Sequence, residues 1–399
     1  MNRSAEYNNT LLIECVRAYL TERPFSPSGE IDWCALLERA YRHKIAPVVW
    51  GVMAQQPEMM PPEIWAAFTI WMEHRRRKSG CFALHLRRLS GLLSDAGIPA
   101  LTLKGIALAL GEYGSISMRQ FEDIDLLIPP EHIHHTLRLV QEQGFIFTDE
   151  KQQALAFSAL PADDYHFQLQ HQRWLISLEL HWKVGWRHYN ARDFPLSFAE
   201  LAADARELRL LDSTIRTPSP RHTVILLGVE SFKDSRITLG RLLEVALITR
   251  QPTFDWDALW SNAERVRALN ETAALVGAAA TLFDLPDTSA LAIAHQRPVV
   301  SEVIQKFLRD VQTEQIPTTL EYLHLIWQLR GAQDEKLLFA RQLIGRREYW
   351  AYFAPRIAWD LLLMSARGLR LSGLPGSKRL AFAFRPLKLR ARLRFRQRW

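Results

Sequence analysis

The chain has 399 residues, 48% hydrophobic and 23% charged, which excludes a disordered or fibrous protein and leaves room for two or three globular domains. No apolar run approaches the roughly 18 residues that a membrane-crossing helix needs. The formal charge of +7 is uneven: residues 361–399 hold 11 Lys/Arg and no acid, which leaves a net −4 over the rest. Cys15, Cys34 and Cys81 form no CxxC or paired pattern, and no leader-like segment opens the chain. Both observations predict a reducing cytoplasm.

Residues 1–97 read as helical. Leu11, Leu12, Cys15, Val16 and Tyr19 lie at helical spacing, and Asp32 is placed to cap a helix carrying Leu36, Leu37 and Ala40. His43 reads as a packed or capping residue rather than a ligand. A long helix is expected over 63–95, with Phe82, Leu86, Leu89 and Leu93 as its stripe and Gly97 as its stop. Its cluster Arg75, Arg76, Arg77 and Lys78 reads as a solvated face, with a phosphate-binding or nucleic-acid-binding patch as the alternative.

The rest of the chain is arranged around 99–130. Two short apolar runs, 99–103 and 126–128, flank a helix-like segment at 106–113 and suit buried strands. The first ends at Lys104-Gly105; the second opens with Asp123-Ile124-Asp125 and stops at Pro129-Pro130. Strand alternation points Asp123 and Asp125 the same way. Two carboxylates about 4 Å apart repel by roughly 4 kcal/mol at an effective dielectric of about 20. A core strand tolerates that pair only beside a cation, and magnesium is the usual one.

A helix is expected over 131–143, a short strand over 145–147 and irregular chain over 148–163. Alternating runs at 165–169 and 175–182 read as a hairpin around 170–173. From about 193 the pattern returns to helices, including 224–232, 238–249, 272–283 and 302–308, with Asp255 or Asp257 as an N-cap. Helices are expected to about 371. Beyond Gly376, cationic residues alternate with others from Lys388 to Arg398. Such a tail either aids solubility or meets an anionic partner: a membrane surface, which would make the protein membrane-peripheral, nucleic acid or an acidic protein.

Leu103, Lys104, Gly105, Ala107, Leu108, Tyr113, Arg119 and the run Asp123-Ile124-Asp125-Leu126-Leu127-Ile128, followed by Glu179-Leu180-His181-Trp182, resemble an uncharacterised bacterial nucleotidyltransferase family (NTP_transf_5-like) of the polymerase-β-type superfamily. The resemblance spans about residues 35–290. It implies an α+β fold: a small mixed β-sheet nucleotidyltransferase core at 98–192, a helical N-terminal region at 1–97, a helical C-terminal region at 193–371 and a basic tail at 372–399. It also implies a third carboxylate on a neighbouring strand, for which Glu179 is the candidate. Two magnesium ions would be held by Asp123, Asp125 and Glu179 as metal-binding and catalytic residues. Lys104, Gly105 and Arg119 would contact the phosphates of an NTP, ATP foremost. His181 would lie near those phosphates or make a structural hydrogen bond. The chain departs from the wider superfamily, which carries Gly-Ser before its Asp-x-Asp: here Lys-Gly stands there, with 17 residues between Gly105 and Asp123. A His that the family often carries near 230–233 is missing.

The activity implied is transfer of an NMP from an NTP to an acceptor that the sequence does not name, with release of pyrophosphate. Two other readings stay open. A glycosyltransferase also uses Asp-x-Asp, but strands and helices should alternate ahead of the motif, where this chain has about 95 helical residues. A non-catalytic nucleotide-binding or scaffold protein could retain the fold.

Overall fold

The structure, a computed structural model, describes residues 3–156, 160, 164–184, 194–232, 237–285, 289–313 and 319–329, with 336, 356 and 357 besides. The fold is α+β, a small mixed sheet among helices. The chain divides into two compact units, 1–317 with 321–342 and 318–320 with 343–399. The candidate site lies in the first.

Helices α1 (Arg3–Thr21), α2 (Trp33–Arg42) and α3 (Ala46–Met53) pack on one another. Asp32 caps α2, its carboxylate accepting from Ala35 N at 3.0 Å. His43 closes the same helix. Its buried ring accepts from Leu239 N at 3.3 Å, so it packs and caps as expected. Helix α4 (Pro62–Asp95) buries the predicted stripe of Phe82, Leu86, Leu89 and Leu93. Its basic cluster is not a uniform solvated face. Arg75 is buried, donates to Arg119 O at 2.7 Å and stands over the Phe121 ring. Arg76 covers the Trp50 ring, while Arg77 pairs with Glu73 and Lys78 with Glu122. Flanking aromatics and acids use up the charge that the sequence left to water.

Five strands make one sheet: β1 (Leu101–Leu103), β2 (Asp123–Leu127), β3 (Phe145–Phe147), β4 (His166–His171) and β5 (Ser177–His181). Their order is β1-β2-β5-β4-β3; β2 and β5 run parallel and the other neighbours antiparallel. Helix α5 (Gly105–Gly111) follows β1 and α6 (Ile133–Glu142) follows β2. Within 148–163, expected to be irregular, Glu150–Leu155 forms α7.

One face of the sheet is closed by α4 and α6. Ile124, Leu126, Leu178 and Leu180 join Phe82, Leu86, Leu137 and Val140 in a single core. Each such side chain contributes about 1.5–3 kcal/mol by leaving water. A one-residue slip of β2 would put both aspartates into that core, so burial of Ile124 and Leu126 fixes which way the acids face.

After β5 the expected run of helices is interrupted. Helix α8 (Phe198–Ala203) starts at a Ser197–Glu200 capping box. A hairpin follows, β6 (Arg206–Leu210) and β7 (Ser213–Thr217), with Leu210 and Ile215 buried between exposed charges. Strand β7 runs against β1, which gives those two apolar side chains a surface to cover. Helices then resume: α9 (Pro220–Glu230), α10 (Leu239–Thr249), α11 (Trp256–Arg265), α12 (Leu269–Phe283), α13 (Ser289–Gln296), α14 (Pro298–Thr313) and α15 (Thr319–Leu329). Asp255 is the N-cap of α11, accepting from Ala258 N at 2.9 Å. Helix α12 is buried on nearly every side and packs against α9, α10 and α14. The helices expected towards residue 371 and the basic tail lie outside the described residues.

Candidate active site

The other face of the sheet carries the acids. Parallel pairing sets Asp125 opposite Glu179 and Leu127 opposite His181. One carboxylate oxygen from each of Asp123, Asp125 and Glu179 lies within 4.8 Å of the others. The three residues that the sequence picked out from two separate stretches therefore meet. This oxygen-only donor set, partly withdrawn from water, fits a hard divalent cation.

His181 stands between two of the acids. Its Nε2 lies 3.1 Å from Asp125 Oδ1 and 3.3 Å from Glu179 Oε2. Lys104 follows β1, whose Leu103 is the register partner of Asp125. Its backbone has φ +43 and ψ −128, a conformation that non-glycine residues rarely adopt and that is kept only where the surroundings enforce it. Gly105 follows at φ +31, where a Cβ would stand 3.4 Å from Asp123 O. A glycine is needed for the turn that sets Lys104 against β2.

Helices α9 and α10 supply residues that sequence reasoning missed. Glu230 Oε1 lies 2.5 Å from Lys104 Nζ, and Arg241 Nη2 lies 3.8 Å from Glu230 Oε2. Arg241 Nη1 reaches Glu244 Oε2 at 3.3 Å, and Glu244 Oε1 takes Arg119 Nη2 at 2.9 Å. Charges alternate from Lys104 through Glu230, Arg241 and Glu244 to Arg119. Arg119 is thus held by Glu244, with its Nε also donating to Oε1. Glu230 occupies the region where the family's His is missing. No local pattern marks it, because its partner lies far away in sequence.

The electrostatics follow from this packing. Burial, then the charges of Asp125 and Glu179, push the pKa of Asp123 up to about 7, against the pull of Lys104 and Arg119. For Asp125, burial works upward, but the Lys104 charge and the His181 hydrogen bond outweigh it and hold the group below its ordinary value. Glu179 is likewise buried, yet hydrogen bonding and charge from His181, with His166 and Lys104, keep it well below the carboxylate range. His181 is pushed down by burial and up, more strongly, by its two acids, so its pKa is raised. Of the three acids, Asp123 alone has its pKa raised.

The family model described as uncharacterised nucleotidyltransferase matches residues 29–284, and the chain belongs to that family. It is a nucleotidyltransferase enzyme, which sets aside the scaffold reading. Among solved structures, the antibiotic-resistance factor ANT(2'')-Ia is similar at 15% identity, over 55% of this chain and 97% of its own, with a TM-score of 0.29. That likeness is too loose to carry an argument. No curated protein matches the chain.

Proposed function

We propose that the chain transfers an NMP from an NTP, with ATP the foremost donor, to a hydroxyl or similar acceptor in a magnesium-dependent reaction that releases pyrophosphate. The observation that carries this reading is the convergence of Asp123, Asp125 and Glu179 from two adjacent parallel strands. Asp123 and Asp125 would hold the ion bound to the triphosphate, and Glu179 would complete the acceptor-side position. Bound magnesium supplies charge neutralisation at the phosphates and lowers the pKa of an oxygen that it contacts.

The protein's own groups position and offset charge. Lys104 and Arg119 supply positive charge on the phosphate side, held in place by Glu230 and Glu244. Gly105 lets the backbone approach the donor phosphates. His181 fixes the separation of Asp125 and Glu179. The helices after β7 are the natural source of acceptor selection, since α9 and α10 reach the site.

The test is to incubate the protein and magnesium with each α-labelled NTP and fractionated lysate. Label should move to an acceptor fraction in the wild type and not in Asp125→Ala. Transfer that survives Asp125→Ala, or that comes only from a nucleotide-sugar, removes the reading.

A further inference from the structure

A second group of donors overlaps the site at Glu179 and His181 and adds His166, which has no part in the proposed transfer. In the antiparallel β4–β5 pair, His166 and His181 are direct register partners. Directly opposed side chains stand on one face of the sheet with Cβ atoms about 5 Å apart. Glu179 lies two residues before His181, hence on the same face. The His166 and His181 rings stack with centroids 5.2 Å apart and planes inclined by 22°. Glu179 Oε2 is 3.3 Å from His181 Nε2 and 3.9 Å from His166 Nε2. One donor atom from each of the three lies within 4.8 Å of the others. The side chains are 15%, 14% and 5% exposed for His166, Glu179 and His181, so water does not compete freely for them.

We propose that His166, Glu179 and His181 form a binding site for a divalent first-row transition ion of the zinc class, beside the carboxylate site and sharing Glu179 with it. Zinc bonds to imidazole nitrogen and carboxylate oxygen are about 2.0–2.1 Å, which makes the edge between neighbouring ligand atoms of a tetrahedron about 3.3–3.4 Å. The Glu179–His181 separation already has that length. The His166 contact, at 3.9 Å, is about half an ångström longer. Two nitrogens and one oxygen leave a fourth position open, the arrangement of sites where the ion meets water or substrate. Imidazole also selects the ion: it suits zinc and its neighbours, whereas magnesium prefers oxygen alone.

The inference goes beyond the transfer reaction and is read without nucleotide. The full chain, free of any affinity tag, is stripped with a chelator, loaded with one equivalent of zinc in excess magnesium, and examined by X-ray absorption at the zinc edge. The expected spectrum shows two imidazoles and oxygen in the zinc shell. His166→Ala should lose one imidazole and bind zinc about tenfold or more weakly. Asp123→Asn should keep the two-imidazole spectrum while losing nucleotidyl transfer. An oxygen-only shell in the wild type, zinc displaced by magnesium, or an unchanged spectrum in His166→Ala would each overturn the site. The wild-type spectrum decides even if a variant folds poorly. Absence of NMP transfer with the zinc signature intact counts against the transferase reading alone.

Discussion

Asp123 sits where burial and two neighbouring carboxylates oppose its ionisation, and its pKa of about 7 sets a pH dependence for the metal-free protein. An unfolded chain would release this proton near pH 4. Between about pH 4 and about pH 7 the folded state therefore binds more protons than the unfolded one. The linkage sign then makes this group's stabilising contribution full below about pH 4 and lost as pH rises to about 7. The loss is on the order of a few kcal/mol. A divalent cation offsets the same repulsion, so protection by magnesium against thermal unfolding should be small near pH 5 and grow through pH 7. Melting curves at several pH values with and without magnesium check this, and equal protection at every pH would contradict it. Replacing the acid separates stability from activity. Asp123→Asn should raise the metal-free unfolding free energy near neutral pH by about 1–2 kcal/mol. It should also lower label transfer by about a hundredfold or more.

The turn between β1 and α5 and the ends of α9 and α10 decide where the cations sit. Gly105→Ala places a side chain at φ +31 against the Asp123 carbonyl, and should cost about 1 kcal/mol or more of stability while displacing Lys104. Glu230→Gln leaves the Lys104 ammonium, 21% exposed, without its nearest carboxylate. It should cost about 2 kcal/mol by denaturant unfolding. An unchanged midpoint would show the α9 contact to be dispensable. These elements also show what a sequence reveals. Asp123, Asp125 and Glu179 were readable because strand alternation and a family motif act over a few residues. Asp32 and Asp255 were readable as caps for the same local reason. The β6–β7 hairpin has alternation in 206–217 but stands between helical patterns, and only its contact with β1 makes a strand pair worthwhile there. The contacts of Glu230 with Lys104 and of Glu244 with Arg119 left no local signal, because an ion pair between residues more than a hundred positions apart follows from packing alone. Arg75 looked solvated for the converse reason: Phe121 and the Arg119 carbonyl that bury it arrive from another segment.

Over the whole molecule, the charge is split between an acidic body and a cationic end, 11 Lys/Arg without an acid in 361–399. No helix among the described residues is long and apolar enough to cross a membrane. Deletion after Gly376 should weaken binding to anionic vesicles or to RNA at low salt, and the difference should vanish as salt rises. Binding unchanged by the deletion would assign the tail no partner. The body's central claim is that three carboxylates of two parallel strands hold divalent cation against an NTP. Anomalous diffraction from a crystal of the protein with manganese and a non-hydrolysable ATP analogue tests it most directly. The account predicts a manganese peak within bonding distance of Asp123, Asp125 and the triphosphate. Manganese or triphosphate bound elsewhere, with the space between these acids bare, would contradict it.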